Sequence, residues 1–565
     1  MARWKLLARI DEINPEPVYP LAGHDWAART TRGVRAALEA LLGRVPPFAE
    51  GECFRLVRGR MYMREFRVSP LALVVATDDR PGAGPVRRAL GALARVLVGV
   101  PRLAALAVRA PRRMAAIVAG SEATFAAFEA AMARAPVDRL DALPAEALVR
   151  WGMEGADPAF APAFFANTVL NNYGGIVGDL LVEALGWIVR RWAGDDGTLF
   201  FRLLGGVGGL RSTELTTGLV ELADAARAVP AVAAVVRGDA PGGLARLREL
   251  PEAADFLARF ERFLATQGHR GFQEGGGLAR RWAEQPALVL GLVRTLVRAP
   301  ARPDDGAARA RERAEAAAAV ERRLGRPRAL RRALFRWVLR HAHEAIRIRE
   351  NSKCLLVAQS YRTRMTGLEL GRRLHQRGLI GPAEDEVLFL TLAEIGSGIA
   401  GTASAETLRA TIAARRAERA AWLAAPVPRT VDDAGEPVAP PAPPPRAPAA
   451  APDAPFGGTP ASGGVARGRV RVVVDPEAET DFPEGAILVA PYADTAWTPY
   501  FYLAAAVVVE TGSVLAHAAT VAREFGVPCV VGVADATRRL AEGALVEVDG
   551  DHGTIRILEG ALEAA

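Results

Sequence analysis

Lysine is almost missing from this chain. Of its 71 Lys and Arg residues, only Lys5 and Lys353 are lysine, and the other 69 are arginine. Cysteine and aromatic residues are also sparse, at three residues and 6%. Cys53, Cys354 and Cys529 are far apart and form no CxxC pair, so neither a metal site nor a disulfide framework is indicated. A secretory signal is missing too: MARWKLLARIDE reaches Asp11 and Glu12 with no long apolar stretch. The longest uncharged run, Pro158 to Gly178, contains Pro162, Asn167, Asn171, Asn172, Gly174 and Gly175, which disqualify it as a transmembrane helix. A reducing cytoplasm is the expected home.

What is present is 565 residues with 50% hydrophobic content, drawn largely from alanine and valine. That length implies more than one domain and ample capacity for a core. The net charge of +7 is unevenly spread. Residues 457–565 hold 15 acidic and 7 basic side chains, a net of −8, which leaves +15 for the rest. A basic body joined to an acidic C-terminal module predicts that the two attract each other. No aromatic–basic interleaving or nucleic-acid motif accompanies the positive charge, so no nucleic-acid partner is expected. The arginine bias reflects composition; Lys353, retained against it, stands out.

Residues 1–425 read as mainly helical, with Ala, Leu and Arg at helical spacing. A β-like pair of segments, Cys53–Val68, turns around Gly59. Arg88, Arg95, Arg102 and Arg109 recur every seven residues, with Arg87, Arg112 and Arg113 nearby. Such a face could lie on anionic lipid. Pro101 and Pro111 are expected to interrupt it, which favours a solvated face and no membrane association. Residues 426–456 are rich in Pro and Ala and read as an extended, semi-rigid linker. Beyond it, Val465–Val474, Ile487–Ala490, Ala505–Val509, Cys529–Val533 and Leu545–Leu558 are β-branched runs, the last turning at Gly550–Gly553. With a helix at about 516–525, residues 457–560 form a small α/β domain on a tether. The fold class is therefore multidomain: a large, mainly α-helical domain plus a small α/β one.

The sharpest motif is Thr511-Gly512-Ser513-Val514-Leu515-Ala516-His517-Ala518-Ala519-Thr520. A strand ends at Glu510, a glycine turn follows, and His517 falls near a helix N-terminus with alanines on both sides. An imidazole placed there can act as a nucleophile, and a phosphoryl group on it would meet helix N–H donors. A second candidate cluster lies on the long helix expected from Ala329 to Thr366, which lacks Gly and Pro. Arg349 and Lys353 share a face with Ala342, Ala345, Ile346, Leu356 and Val357. Two cations in an apolar stripe either snorkel outward or pair with a carboxylate such as Glu350, or they clamp a phosphoryl group in flight. His269 and Arg270, between Gly268 and Gly271, read either as an acid/base and phosphate ligand or as a helix-cap turn. The Gly205–Thr213 stretch lacks the spacing of a P-loop and is expected to cap the next helix through Ser212 or Thr213.

The His517 stretch, with Gly458–Gly464, Gly485–Ala490 and Asp494–Pro499, resembles the swivelling (mobile) phosphohistidine domain of the phosphoenolpyruvate-utilising enzymes. The resemblance covers about 100 residues. It implies that His517 carries a phosphoryl group while the domain swings between two active sites. Ala516 departs from the pattern, which has a small hydroxyl residue before the histidine. The body is similar to the substrate domain of the rifampin phosphotransferase-like proteins, which include the prodigiosin-type condensing enzymes. That similarity rests on Asn14–Leu21, Val57–Tyr62, Gly268-His269-Arg270-Gly271 with Glu274, Arg281-Trp282 and Pro286, and Arg349-Glu350-Asn351-Ser352-Lys353. It implies catalytic roles for Arg349 and Lys353 and phosphate or substrate contacts for His269, Arg270 and Glu274. Gly275-Gly276 stand where the family has Ile-Asp, so one acidic group is missing.

In that family an ATP-grasp domain ahead of the body phosphorylates the histidine. The chain begins where that domain would end. The resemblance therefore implies a separately encoded ATP-grasp partner bringing ATP and Mg2+, with no cofactor held by this chain itself. A phosphoenolpyruvate-type barrel after Leu558 is not expected either. The leading expectation is a phosphotransferase component relaying phosphate through His517 to an apolar small molecule. The alternative is a non-catalytic or regulatory relative that has lost its kinase module.

Overall fold

The computed structural model describes residues 4–6, 16–23, 26–42, 53–64, 85–134, 137–152, 160–195, 198–238, 240–274, 279–298, 306–438, 456–479 and 482–559, with the backbone alone for 22–23, 85–108, 151–152, 240–241 and 306. Its principal helices are α1 (Pro85–Ala133), α2 (Ala161–Ala193), α3 (Arg211–Ala228), α4 (Ala254–Gln267), α5 (Pro286–Arg298), α6 (Arg328–Gln376) and α7 (His517–Phe525). The chain divides into two compact units. One comprises Met1–Leu7, Glu16–Ile176 and Arg362–Pro441, the other Ala8–Pro15, Val177–Tyr361 and Ala442–Ala565. This division differs from one at 425 and 457, because the C-terminal domain groups with residues 177–361. The reason is a shared apolar core, described below.

The first unit contains a four-stranded antiparallel sheet in the order β2 (Phe54–Val57), β3 (Arg60–Arg64), β1 (Trp4–Leu6), β4 (Thr430–Val431). The β2–β3 hairpin turns through Arg58 and Gly59, both at positive φ (50° and 69°), the geometry a two-residue primed turn requires. Strand β4 lies inside the stretch expected to be linker. Trp4 pairs with Val431, and Val431 bridges Pro437, so 430–438 is folded. The proline-rich remainder, 439–455, lies outside the described residues. Helix α1 also departs from expectation, since it runs unbroken past Pro101 and Pro111. Each proline forfeits one backbone bond, and the surrounding alanine-rich turns carry the helix across. Arg109–Ala133 is long and apolar enough by length and composition to cross a membrane, although it carries Arg109, Arg112, Arg113, Glu122 and Glu129.

In the second unit, α3, α4 and α5 turn apolar faces inward at helical spacing. Leu215, Leu219, Leu222 and Ala226 meet Val289, Val293 and Leu296 and the Phe256, Phe260 and Phe263 ladder. Each Leu, Val or Phe among them contributes roughly 1.5–3 kcal/mol on full burial. The C-terminal sheet has eight strands in the order β5 (Phe456–Gly457), β12 (Thr554–Glu559), β11 (Leu545–Asp549), β7 (Val465–Val472), β8 (Ile487–Ala490), β9 (Ala506–Val509), β10 (Cys529–Val531), β6 (Thr459–Ser462). Strands β7 to β10 are parallel and the flanking pairs antiparallel. Buried on both faces, β8 and β9 need apolar residues at every position, as their ILVA and AVVV sequences provide. One face, with Val508, Val530 and Val546, closes the domain's own core. The other, with Leu488, Val507 and Val531, belongs to the same cluster as α3, α4 and α5. The small domain thus sits against the helices of its own unit.

Candidate functional site

Parallel strands bring their C-terminal ends, and the loops leaving them, to one edge of a sheet. Here the loops after β8 and β9 lie side by side: Glu510 N donates to Ala490 O, and Thr511 N to Pro491 O. Gly512, at φ 141°, supplies a turn that a side chain would resist. The Ala516 amide then closes on Ser513 O at 2.9 Å, and α7 begins at His517. Gly526, in the left-handed conformation, ends that helix. Arg523, buried in α7, donates to Ala461 O at 2.8 Å and Val514 O at 2.7 Å, fixing the loop that carries His517. Burial holds the Arg523 guanidinium down to about 10.

His517 is 5% exposed. Burial first, then the Lys353, Arg270 and Arg349 charges, holds its pKa well below the ordinary 6.5, so the ring is neutral at pH 7. Three of the other sequence-predicted residues therefore bring their charges to bear on the histidine. Helix α6, continuous from Arg328 to Gln376, delivers Arg349 and Lys353 one turn apart. Arg349 leans on Glu350 (3.4 Å), the pairing foreseen as its bland role. The Lys353 ammonium has no hydrogen-bond or ion-pair partner among the described residues, and it faces His517 and Asp494.

Arg270 and Glu274 form a buried pair, Nε to Oε2 at 2.8 Å. Thr495 Oγ1 joins them, accepting from Arg270 Nη2 at 2.5 Å and donating to Glu274 Oε1 at 2.9 Å. Arg270 Nη1 also reaches Cys354 Sγ at 3.2 Å. The segment is shaped by backbone bonds from Trp282 N to Arg270 O and from Ala283 N to Gly268 O, and Arg281 Nη2 binds Glu274 O at 2.7 Å. A side chain at Gly268 would strike Leu264 O at 2.3 Å. His269 hydrogen-bonds the Thr266 backbone, and burial and then the neighbouring Arg270 and Arg281 push its pKa down to about 3.

Residues 172–350 match the rifampicin phosphotransferase fourth domain, and residues 482–553 the mobile domain of PEP-utilising enzymes. In these stretches the chain is similar to rifampicin phosphotransferases and to PEP-utilising enzymes. A rifampicin phosphotransferase of Streptomyces sviceus is 28% identical over 391 residues, 67% of this chain and 43% of that protein. An uncharacterised protein of Mycobacterium tuberculosis is 36% identical over 316 residues, 55% of this chain and 33% of the relative. A phosphoenolpyruvate synthase of Aeropyrum pernix is 48% identical over 99 residues, 17% of this chain and 12% of the synthase. The chain spans less than half the length of these curated relatives.

Sequence reasoning passed over three contributors. Asp494 accepts from Ala496 N (2.9 Å) and from Gln273 N (2.7 Å), and burial followed by the Glu274 charge raises it to about 7. Thr495 bridges to Arg270 as described. Asn351 accepts from Arg211 N at 2.9 Å and donates to Gly209 O at 3.1 Å, so α6 caps the start of α3. The expected Ser212 or Thr213 cap does not form: the helix N-cap is Leu210, and the Thr213 hydroxyl binds Leu210 O. The Asp494-Thr495 pair was visible as part of a motif, but its partners lie more than 200 residues away. Gly275 and Gly276 lie outside the described residues.

Proposed function

We propose that the chain is a phosphoryl carrier and transferase. The reading rests on a neutral, buried His517 at a helix N-terminus, faced by Lys353, Arg270 and Arg349. A separately encoded ATP-grasp protein, with ATP and Mg2+, loads one ring nitrogen, forming a P–N bond as the nucleotide's bridging P–O bond breaks. In the second half-reaction a hydroxyl or carboxyl oxygen of an apolar small molecule attacks the phosphorus. The P–N bond breaks, the imidazole leaves, and a hydroxyl acceptor's proton passes to solvent. Lys353 and Arg349 supply positive charge where the migrating group develops negative charge, while α7 offers the N–H dipoles of its first turn. Arg270, held by Glu274, adds a third charge, and Glu274 acts through it. His269 is retained only as a more remote contact to substrate or phosphate. ATP-dependent loading sets the reaction in the cytoplasm.

The similarity to a rifampicin phosphotransferase supports the reaction class. A regulatory relative that binds a ligand without transferring phosphate is the second reading, favoured by the missing cap hydroxyl at Ala516. Incubating the full chain with a genomically adjacent ATP-grasp protein and radiolabelled ATP separates the two. The proposal expects acid-labile label that disappears in His517→Ala. Label that persists in the variant sinks the assignment to His517, and no label in the parent chain favours the regulatory reading.

A further inference from the structure

The loop Arg270–Glu274 enters the C-terminal domain as a plug. Phe272 stacks on Tyr492 (ring centroids 6.3 Å apart, planes at 6°) and meets Trp497 edge-on at 5.4 Å. Tyr492 and Trp497 pack on each other at 4.9 Å and form the walls of the socket. The backbone beside the ring is gripped as well. Asp494 accepts from Gln273 N, and Glu477 accepts from the Phe272 amide. Gln273 sits at φ 54°, a conformation a non-glycine residue holds only when its surroundings impose it. Thr495 completes the contact on Arg270 and Glu274. Five residues of the helical body thus bind one face of the domain through an aromatic insertion and two carboxylate–amide bonds. Asp494 and Thr495 come from the loop beside the one that carries His517, so the contact fixes the histidine relative to Lys353.

We propose that this plug is the releasable seat of the phosphohistidine domain: Phe272 in the Tyr492–Trp497 socket, locked by Asp494, Glu477 and Thr495, holds His517 in register for transfer and lets go for loading. The inference rests on the carrier reading above. Phe272, Tyr492, Asp494 and Glu477 are positioning residues, and they need not touch the migrating group. Breaking the seat leaves His517 able to accept phosphate, because loading takes place with the domain released.

The native cysteines Cys53, Cys354 and Cys529 are all buried, so spin labels can be directed to Val474→Cys on the small domain and Leu330→Cys on α6, sites that are 60% and 68% exposed. Pulsed dipolar spectroscopy on the full chain should give one dominant distance. Phe272→Ala should raise a second, longer population roughly tenfold, as the loss of a half-buried aromatic stack predicts. Tyr492→Ala, cut from the opposite side, should do the same, and Phe272→Tyr should restore the single distance. Unchanged distributions in both alanine variants overturn the proposal, and either variant suffices if the other fails to fold. Acid-labile labelling of His517 is measured in parallel. Its absence from the parent chain defeats the carrier reading without altering the distances. Its loss in Phe272→Ala alone, with parental labelling intact, shows the plug is needed for loading and refutes the seat.

Discussion

At His517 the imidazolium is disfavoured by burial and by cations from two separate segments, Arg349 and Lys353 on α6 and Arg270 in the plug. A histidine whose pKa is lowered in the folded protein contributes stability above the ordinary value of 6.5, and that contribution is lost as pH falls. Lys353 is the largest of the charge effects on the ring. Replacing it with methionine keeps the aliphatic stem and removes the charge. Lys353→Met should therefore move the His517 titration upward, toward 6.5, in an NMR pH series on histidine-labelled protein. A titration that stays put would mean that the ammonium points elsewhere. Lys353→Arg keeps the charge but spreads it over a planar fork, so it should leave the titration nearer that of the parent. The scarcity of lysine made this residue conspicuous in the sequence, and its place opposite His517 accounts for that.

Helix α7 is the element on which the site turns. Its N-cap, Ala516, has the extended geometry of a capping residue (φ −62°, ψ 160°) but no side-chain oxygen. A serine there can accept from an N–H in the first turn, so Ala516→Ser should stabilise the protein by about 1 kcal/mol. Urea denaturation would read this as a raised midpoint, and a lowered midpoint would mean that the added oxygen is buried without a partner. This helix and the parallel strands were legible in the sequence because their signals are local. Four-residue β-branched runs, glycines at the turns and a nine-residue helical stretch between Gly512 and Gly526 suffice. Strand β4 was not legible: two residues in a proline-rich stretch become a strand only because Trp4, more than 400 positions away, offers them an edge. The same holds at the site. His517, Arg349 and Lys353 announced themselves by residue type and spacing. Asp494 and Glu477 look like ordinary surface acids until the fold presents them with the amides of Phe272 and Gln273.

At the scale of the whole molecule, the acidic charge of the small domain is spent partly on facing the basic helices. Asp494 lies opposite Lys353, and Glu524 opposite Arg309 and Arg313. Seating the domain also buries carboxylates, and this makes the contact sensitive to pH. Glu477 is raised to about 7 by burial and then by Asp475. Asp494 is raised to about 7 by burial and then by Glu274, with Lys353 opposing. Released into water, both return toward ordinary carboxylate values near 4. The seated form then binds the extra protons, so seating is strongest below about pH 4 and weakens as pH rises through about 7. His517 works in the opposite sense below about pH 6.5, because its ring is neutral when seated. The two effects separate in a His517→Gln background, where only the carboxylates titrate. There the fraction of seated molecules, read from the distance between labels at 474 and 330, should fall between about pH 4 and 7. Adding Glu477→Gln keeps an oxygen for the Phe272 amide and removes one titrating charge, so the decline should become shallower. An equally steep decline in both proteins would mean that Glu477 keeps its charge state on seating.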